Sequence, residues 1–262
     1  MAISMVTLTT DFGASGPYVA AMKGVMLTIN PELRIVDLTH AVPPQDVEQG
    51  ALVLAEISRW FPDDTLHVGV VDPGVGTDRR IIYTKIGRHA FLGPDNGLFS
   101  RLALATPPTT IIAVTESEFW LPQVSRTFHG RDILAPVAAR LSLGLKPERL
   151  GPKVDQLVML PWVEVCVSGR KIAGRVQSID SFGNLITDIS ASALENVPRG
   201  ETTIITCDEH ETHGIFNTYG DQPEMTLIAL VGSSGQLELA IVGESAAMML
   251  GVKSGTPVTI TW

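Results

Sequence analysis

Leu66-His67-Val68-Gly69-Val70-Val71-Asp72-Pro73-Gly74-Val75-Gly76-Thr77-Asp78-Arg79-Arg80 is the stretch that decides how the chain is read. Its first six residues read as a strand buried on both faces, and such strands in α/β sheets present ligands at their C-terminal ends. Asp72 stands at that end. The glycine-rich turn after it delivers one carboxylate and the guanidinium groups of Arg79 and Arg80 to the same place. Taken alone, a Pro-Gly turn leading into the next strand is the simpler reading, so the rest of the chain has to decide.

Working outward, strand-length apolar runs alternate with segments of helical period up to about residue 144, the signature of an α/β layer structure. Residues 6–9 and 34–38 are strand candidates. A helix is expected over 18–29, opened by Ser15-Gly16-Pro17 and ended by Asn30-Pro31. Asp46 can cap a second helix that carries Ala51, Leu52, Leu54, Ala55 and Ile57 on one apolar face. Residues 80–86, 90–92 and 110–114 are further strands, and 132–143 reads as a helix that has to accommodate Pro136.

Residues 146–162 contain Pro147, Pro152 and Pro161 and show little periodicity, which predicts a linker. The expected organisation is therefore an N-terminal α/β domain over 1–145, the linker, and a smaller C-terminal β-barrel domain over 163–262. Its strands are expected at 163–167, 171–179, 184–189, 202–206, 213–219, 225–231, 236–242 and 257–262.

Composition narrows the function. With 262 residues, 45% of them hydrophobic, the chain can bury a sizeable core. A net charge of −9 and the absence of a basic run argue against a nucleic-acid or membrane surface and for a small-molecule substrate. Two cysteines, Cys166 and Cys207, are too few and too far apart for a disulfide framework and fit a reducing cytoplasm. Residues 1–10 lack the basic start and apolar run of a secretory signal, and no segment is long enough to span a bilayer.

Four further segments carry groups suited to chemistry. Asp11, in Thr9-Thr10-Asp11-Phe12-Gly13, follows the first strand and is expected at the same sheet edge as Asp72, where a carboxylate can accept both hydrogen bonds of a ribose diol or serve equally well as a turn or cap residue. His129, in Thr127-Phe128-His129-Gly130-Arg131-Asp132, is the histidine best placed for acid/base work, although a lone histidine is more often an ordinary surface or core residue. Gly93-Pro94-Asp95-Asn96-Gly97 is a tight loop after a strand. Asp180-Ser181-Phe182-Gly183-Asn184 combines a carboxylate, an aromatic face and an amide, as a purine would require, or simply makes a hairpin turn. There is neither a dinucleotide fingerprint nor a phosphate-cradling loop, so a nucleoside-like ligand without a polyphosphate is expected. Cys207, His210 and His213 make a C-x2-H-x2-H cluster that lacks a fourth ligand and reads as a solvated loop; no metal is assigned. Met248 and Met249 read as packing residues.

Together these five motifs resemble the S-adenosylmethionine hydroxide adenosyltransferases, relatives of the fluorinating and chlorinating enzymes that use the same substrate, and the likeness covers nearly the whole chain. The resemblance implies a homotrimer with sites at subunit interfaces and the reaction of water with S-adenosylmethionine to give adenosine and methionine, with no cofactor. By similarity Asp72, Arg79 and His129 match the water-handling triad, with Arg80 replacing Arg79 if the register differs by one. Asp11 looks like the ribose acceptor. Asp180 and Ser233 resemble the groups that hold the methionine amine and carboxylate, Phe182 and Asn184 would face adenine, and Asn96 would complete the substrate-binding set.

The halogenases differ at these positions. Asp72 is similar in place to a tyrosine of the fluorinating enzymes, His129-Gly130 replaces their Tyr-Ser pair, and Gln45 lies where they resemble one another in a tryptophan. Mechanistically, in-line displacement at ribose C5′ needs an aligned water more than an acid, since a sulfonium leaves readily, and alignment alone can supply an effective molarity of about 10^5 M or more. Asp72 and Arg79 are expected to orient the water and His129 to take its proton. Three rival readings stay open at this stage: a non-catalytic S-adenosylmethionine or adenosine sensor, a chlorinase-type halogenase, and a metallohydrolase built on Asp11, Asp72 and His129.

Overall fold

The computed structural model describes residue 3 and residues 5–262; the reading of residues 1–10 as free of a leader falls partly outside them. The chain divides into two compact units, Met1–Pro161 and Trp162–Trp262.

The first unit contains β1 (Met5–Thr10), α1 (Tyr18–Ile29), β2 (Arg34–Thr39), α2 (Val47–Ile57), β3 (Leu66–Val70), β4 (Ile81–Ile86), β5 (His89–Pro94), α3 (Ser100–Ala105), β6 (Pro108–Ala113) and α4 (Ala135–Ser142). The six strands form one sheet in the order β2-β1-β3-β5-β4-β6. The β2, β1, β3 and β5 ladders are parallel, while β4 runs antiparallel to both of its neighbours, so the sheet is mostly parallel, as expected. Alternate residues of the strands feed two cores. Leu66, Val68 and Val70 pack with Met22 and Met26 of α1 and Val137, Ala138 and Leu141 of α4. On the other face Ile82, Ile86 and Phe91 pack with Leu54 of α2 and with Leu98 and Phe99 beside α3. Two layers of helix thus cover the sheet, which is why β3 is buried along its whole length.

His67 is the polar exception within that central strand. Its ring is fully buried, stacked on Phe91 at 5.1 Å and edge-on to His89 at 5.0 Å. Nδ1 lies 2.7 Å from the Thr7 hydroxyl, and Nε2 is buried with no hydrogen-bond partner.

Two local expectations take a different form. Asp46 does cap α2, its Oδ1 accepting from Gln49 N at 3.0 Å. The helix expected over 132–143, however, opens with a π turn over Gly130–Leu134 and becomes α-helical only at Ala135. That explains how Pro136 is accommodated. Proline has no N–H to offer the Asp132 carbonyl four residues back, and that carbonyl instead accepts from Leu121 N at 2.8 Å.

Residues 146–161, expected as a linker, belong to the first unit. Leu150 is fully buried, Thr115 N donates to the Leu150 carbonyl, Ala113 N to Pro152 and Val154 N to Ile111. Prolines remove periodicity from this segment without preventing it from pairing along β6.

The second unit contains β7 (Cys166–Ser168), β8 (Lys171–Ile179), β9 (Leu185–Ser190), β10 (Ile204–Cys207), β11 (His210–His213), β12 (Leu227–Val231), β13 (Gln236–Ile241), α5 (Ala246–Leu250) and β14 (Pro257–Thr261). They form an antiparallel sheet ordered β11-β10-β14-β8-β9-β13-β12, with β7 beside β8. Thr212 on β11 donates its hydroxyl to the Leu227 carbonyl on β12 at 2.7 Å, drawing the two ends into a nearly closed barrel. Inward-facing Ile172, Val176, Leu185, Ile189, Leu237, Leu239, Val258 and Ile260 fill its core.

Three expectations are corrected here. Residues 213–219 are not a strand: the chain leaves the ladder at Gly214, where φ is +78°, and turns through a capping box of Thr218 and Asp221. The strand is instead His210–His213, read as a loop because of its polar composition; it ends the strand order and forms its backbone ladder with β10. Met248 and Met249 are not packing residues, since α5 turns both side chains outward, Met248 to 85% exposure.

Candidate active site

The carboxyl ends of β1 and β3 lie side by side, Thr10 pairing with Val70, so Asp11 and Asp72 emerge at one sheet edge as expected. The turn that begins at Asp72 folds back on itself, Val75 N donating to the Asp72 carbonyl and the Thr77 hydroxyl to the Gly74 carbonyl at 2.7 Å. This return places Arg79 over Asp72. Its Nε donates to both carboxylate oxygens at 2.8 Å and its Nη2 to Oδ2. The same Nη2 donates to His129 Nδ1 at 2.9 Å. Both the carboxylate and the guanidinium are largely enclosed, with side chains 7% and 11% exposed.

Glycine is required at one point of this turn. Gly76 has φ of +79°, and a Cβ there would sit 2.3 Å from the Arg126 carbonyl oxygen, so only glycine lets the 72–79 turn lie against the backbone that leads into His129. His129 itself precedes the π turn, a widened helix geometry that recurs at functional sites. Asp132 braces the segment from beneath: fully buried, it accepts from Ser125 N at 2.8 Å and from Nε and Nη2 of Arg131.

An arginine can only donate, so His129 Nδ1 is the acceptor of that bond and the neutral ring carries its hydrogen on Nε2. Burial first, and the Arg79 charge second, push the His129 pKa below its ordinary value, against the weaker pull of Asp72 and Asp132.

Arg80 points elsewhere, pairing through Nε and Nη2 with the buried Asp95, which also accepts from Val158 N at 2.8 Å. Of the two arginines it is Arg79 that pairs with Asp72. Asn96 has both ends of its amide engaged by backbone, donating to the Val71 carbonyl at 2.9 Å and accepting from Leu98 N at 3.3 Å, and so fixes the residue just before Asp72. Asp11 accepts from Gln45 N through Oδ2 at 2.8 Å. Phe12, Tyr18 and Phe128 form an aromatic triangle with centroids 5.2–5.7 Å apart between the Asp11 and His129 segments.

In the second unit, Asp180 accepts from Phe182 N, Asn184 N and Asn184 Nδ2 at 2.8–2.9 Å. The turn holds Phe182 out, 78% exposed, while Asn184 is buried. Gly183 is confined by Ser245, whose Oγ a Cβ would meet at 1.9 Å. Ser233 is exposed in the turn between β12 and β13. Close to these residues lies a pair that sequence reading passed over: Tyr219 donates its hydroxyl to Glu238 Oε1 at 2.5 Å, and Glu238 is only 5% exposed on β13. The available signal was a charged residue in the otherwise apolar run Leu237-Glu238-Leu239-Ala240-Ile241. Among the described residues, no three His, Cys, Asp or Glu side chains are gathered as a metal site would need. Cys207 faces the barrel core, His210 Nε2 bonds the Leu250 carbonyl and His213 pairs with Glu211.

A largely parallel sheet carrying a carboxylate, a guanidinium and an imidazole in one chain of hydrogen bonds at its carboxyl edge, joined to a small antiparallel barrel, defines an α/β enzyme that acts on a small molecule. Residues 6–151 match the SAM hydroxide adenosyltransferase N-terminal domain, and residues 174–259 match the C-terminal domain of the same name; the chain belongs to the SAM hydroxide adenosyltransferase family. It is 40% identical to an (R)-S-adenosyl-L-methionine hydrolase of Salinispora tropica, over 98% of this chain and 97% of that protein. It is 27% identical to a fluorinase of Nocardia brasiliensis over 98% and 96%. The crystal structure of an uncharacterized conserved protein from Thermotoga maritima superposes with a TM-score of 0.94 at 33% identity, covering 98% of this chain and all of that one.

Proposed function

We propose that this protein hydrolyses S-adenosyl-L-methionine to adenosine and L-methionine, with a water attacking ribose C5′ in line with the departing sulfur. Family membership and the hydrolase names of its full-length relatives support the reaction. The observation that carries the chemistry is Arg79, which bridges both oxygens of Asp72 to His129 Nδ1.

That bridge suggests a division of labour different from the one expected at first. With Nδ1 already accepting from Arg79, His129 offers an N–H at Nε2, suited to donate to one lone pair of the water. The Asp72 carboxylate, held by Arg79, accepts from the water's hydrogen. Two fixed hydrogen bonds of opposite sense leave the water's second lone pair free for C5′. As the C5′–O bond forms and the C5′–S bond breaks, the sulfonium charge disappears and the incoming oxygen becomes acidic. Its proton passes toward Asp72 and out to solvent, which balances the reaction as sulfonium plus water giving adenosine, methionine and one proton. Asp11 would receive the ribose hydroxyls through the oxygen that Gln45 N does not occupy, and exposed Phe182 would offer its face to adenine.

We place the working form as a homotrimer in a reducing cytoplasm. The free thiol of exposed Cys166 supports the second point, and no helix among the described residues is long and apolar enough to cross a membrane. The test is product analysis after incubation with S-adenosylmethionine in chloride-free and chloride-containing buffer. Adenosine and methionine in equal amounts in both buffers is the expected result, whereas 5′-chloro-5′-deoxyadenosine, or binding without turnover, would overturn it. Light scattering of the active protein checks the trimer.

A further inference from the structure

A cavity of about 560 Å³ opens in the first unit at the sheet edge opposite Asp11 and Asp72, a volume within the range of small-molecule sites. Its lining comes from the amino-terminal side of the parallel strands. Asp64 stands two residues before β3, and Ala90 pairs with Leu66, the first residue of that strand, whereas Asp72 stands two residues beyond its last, Val70. The five residues of β3, about 16 Å of extended chain, therefore lie between the cavity and the Asp72 site. Tyr83 lines the cavity together with Lys85, two positions along β4 and so on the same face of the sheet. Leu141 of α4 and the following Leu145 supply an apolar wall, and Lys146 and Glu148 are exposed at the rim.

Tyr83 is the telling member. It is only 6% exposed and packs in the core beneath α4, yet its hydroxyl makes no hydrogen bond among the described residues. Burial first, then the charges of Glu148 and Asp64, push its pKa up to about 12, so the phenol keeps its proton and remains a donor. Phenylalanine would fill the same core position without the destabilisation that a buried hydroxyl lacking a partner brings. Folding therefore does not call for this hydroxyl, whereas a ligand's acceptor would. Lys85 Nζ lies 3.6 Å from Asp64 Oδ1, outside hydrogen-bond reach, so both groups keep bonding capacity for a third partner. The cavity thus offers a phenol and two ammonium groups to an anion, two carboxylates to a cation, and an apolar wall beside them. We infer that it binds a free amino acid in its zwitterionic form with an apolar side chain, the Tyr83 hydroxyl and Lys85 taking its carboxylate, Asp64 and Glu148 its ammonium, and Leu141 and Leu145 its side chain. Nothing in this assignment depends on the reaction carried out at the opposite edge.

Calorimetric titration of the whole protein with L-leucine, isocaproate and isoamylamine tests the assignment, because the second ligand lacks the ammonium and the third the carboxylate. L-leucine is expected to bind, and each analogue to bind at least about tenfold more weakly for want of a charge-assisted bond. Tyr83→Phe, which keeps the ring and its packing, is expected to weaken L-leucine roughly 10- to 100-fold, while Asp72→Asn leaves it within about twofold. Lys85→Gln is the second variant, with a loss of the same size expected. Absence of L-leucine binding at millimolar concentration, or an affinity that neither Tyr83→Phe nor Lys85→Gln lowers, would overturn the proposal. Isocaproate binding as tightly as L-leucine would overturn it too, since the cavity would then take any carboxylate anion. A loss confined to Asp72→Asn would place the amino acid at the opposite edge and refute it equally. None of these arms requires turnover, so a protein that fails to hydrolyse S-adenosylmethionine leaves the comparison intact.

Discussion

Acidification should destabilise the first unit through His67, and the size of the effect follows from its position. The ring is fully buried in the central strand, and burial first, with the neighbouring His89 second, lowers its pKa from 6.5 to about 3. Because the folded value lies below the unfolded one, the unfolded chain binds a proton that the folded chain refuses. Stability is therefore complete above pH 6.5 and is lost as the pH falls from 6.5 toward 3. At 1.36 kcal/mol per pKa unit the loss is about 2 kcal/mol at pH 5 and approaches about 5 kcal/mol near pH 3. Urea unfolding followed by the fluorescence of the four tryptophans, of which Trp60 and Trp120 report the first unit, at pH 8 and pH 5, measures it. Lowered pKa values at His89 and His129 act in the same direction, so the informative quantity is the difference between wild type and His67→Gln. The variant is less stable at both pH values, having lost its stacking on Phe91, but its loss between them should be smaller by about 2 kcal/mol. Equal losses in the two proteins would refute the reasoning.

Three other outcomes follow from the site. Gly76→Ala forces a Cβ against the Arg126 carbonyl at a positive φ and should cost about 1–3 kcal/mol in melting experiments, with turnover falling more than tenfold; unchanged kinetics would mean that the 72–79 turn does not position the site. Asp72→Asn keeps the shape but removes the charge held by Arg79, and should lower kcat by about 10²-fold or more with a small change in KM; full turnover would dismiss the triad. His129 is neutral in the working form and its pKa is depressed, so activity present at neutral pH should be lost only as pH falls below 6.5, when protonation of Nδ1 breaks the Arg79 bond. Arg79→Ala should move that acidic limb of kcat/KM upward, and an unmoved limb would assign it to another group.

Much of this protein can be read before it is folded. Asp72 at the end of a doubly buried run was enough to put a carboxylate at the sheet edge beside Asp11, and Asp46 before an apolar stripe was enough to cap α2. The π turn was not readable, because Pro136 announces only a missing donor, while the Leu121 N–H that replaces it comes from a residue 11 positions before the Asp132 carbonyl it meets. Edge strand β11 was missed for a related reason: a strand with one neighbour and a wet face has no apolar alternation to show.

What the sequence determined by itself is therefore what depends on local period and residue type: an α/β unit followed by a β unit, most of the strands along the chain, and five motifs carrying candidate functional groups. Tertiary structure alone decided which groups meet. Arg79 joins Asp72 to His129, 50 residues along the chain from Arg79, while adjacent Arg80 is taken by Asp95; Asp180 turns to its own backbone, and Glu238 meets the Tyr219 hydroxyl. The physical reason is that burial periodicity is written into a few consecutive residues, whereas a hydrogen bond's partner and direction depend on where the backbone returns, and ångström-scale differences in that return choose between neighbouring side chains.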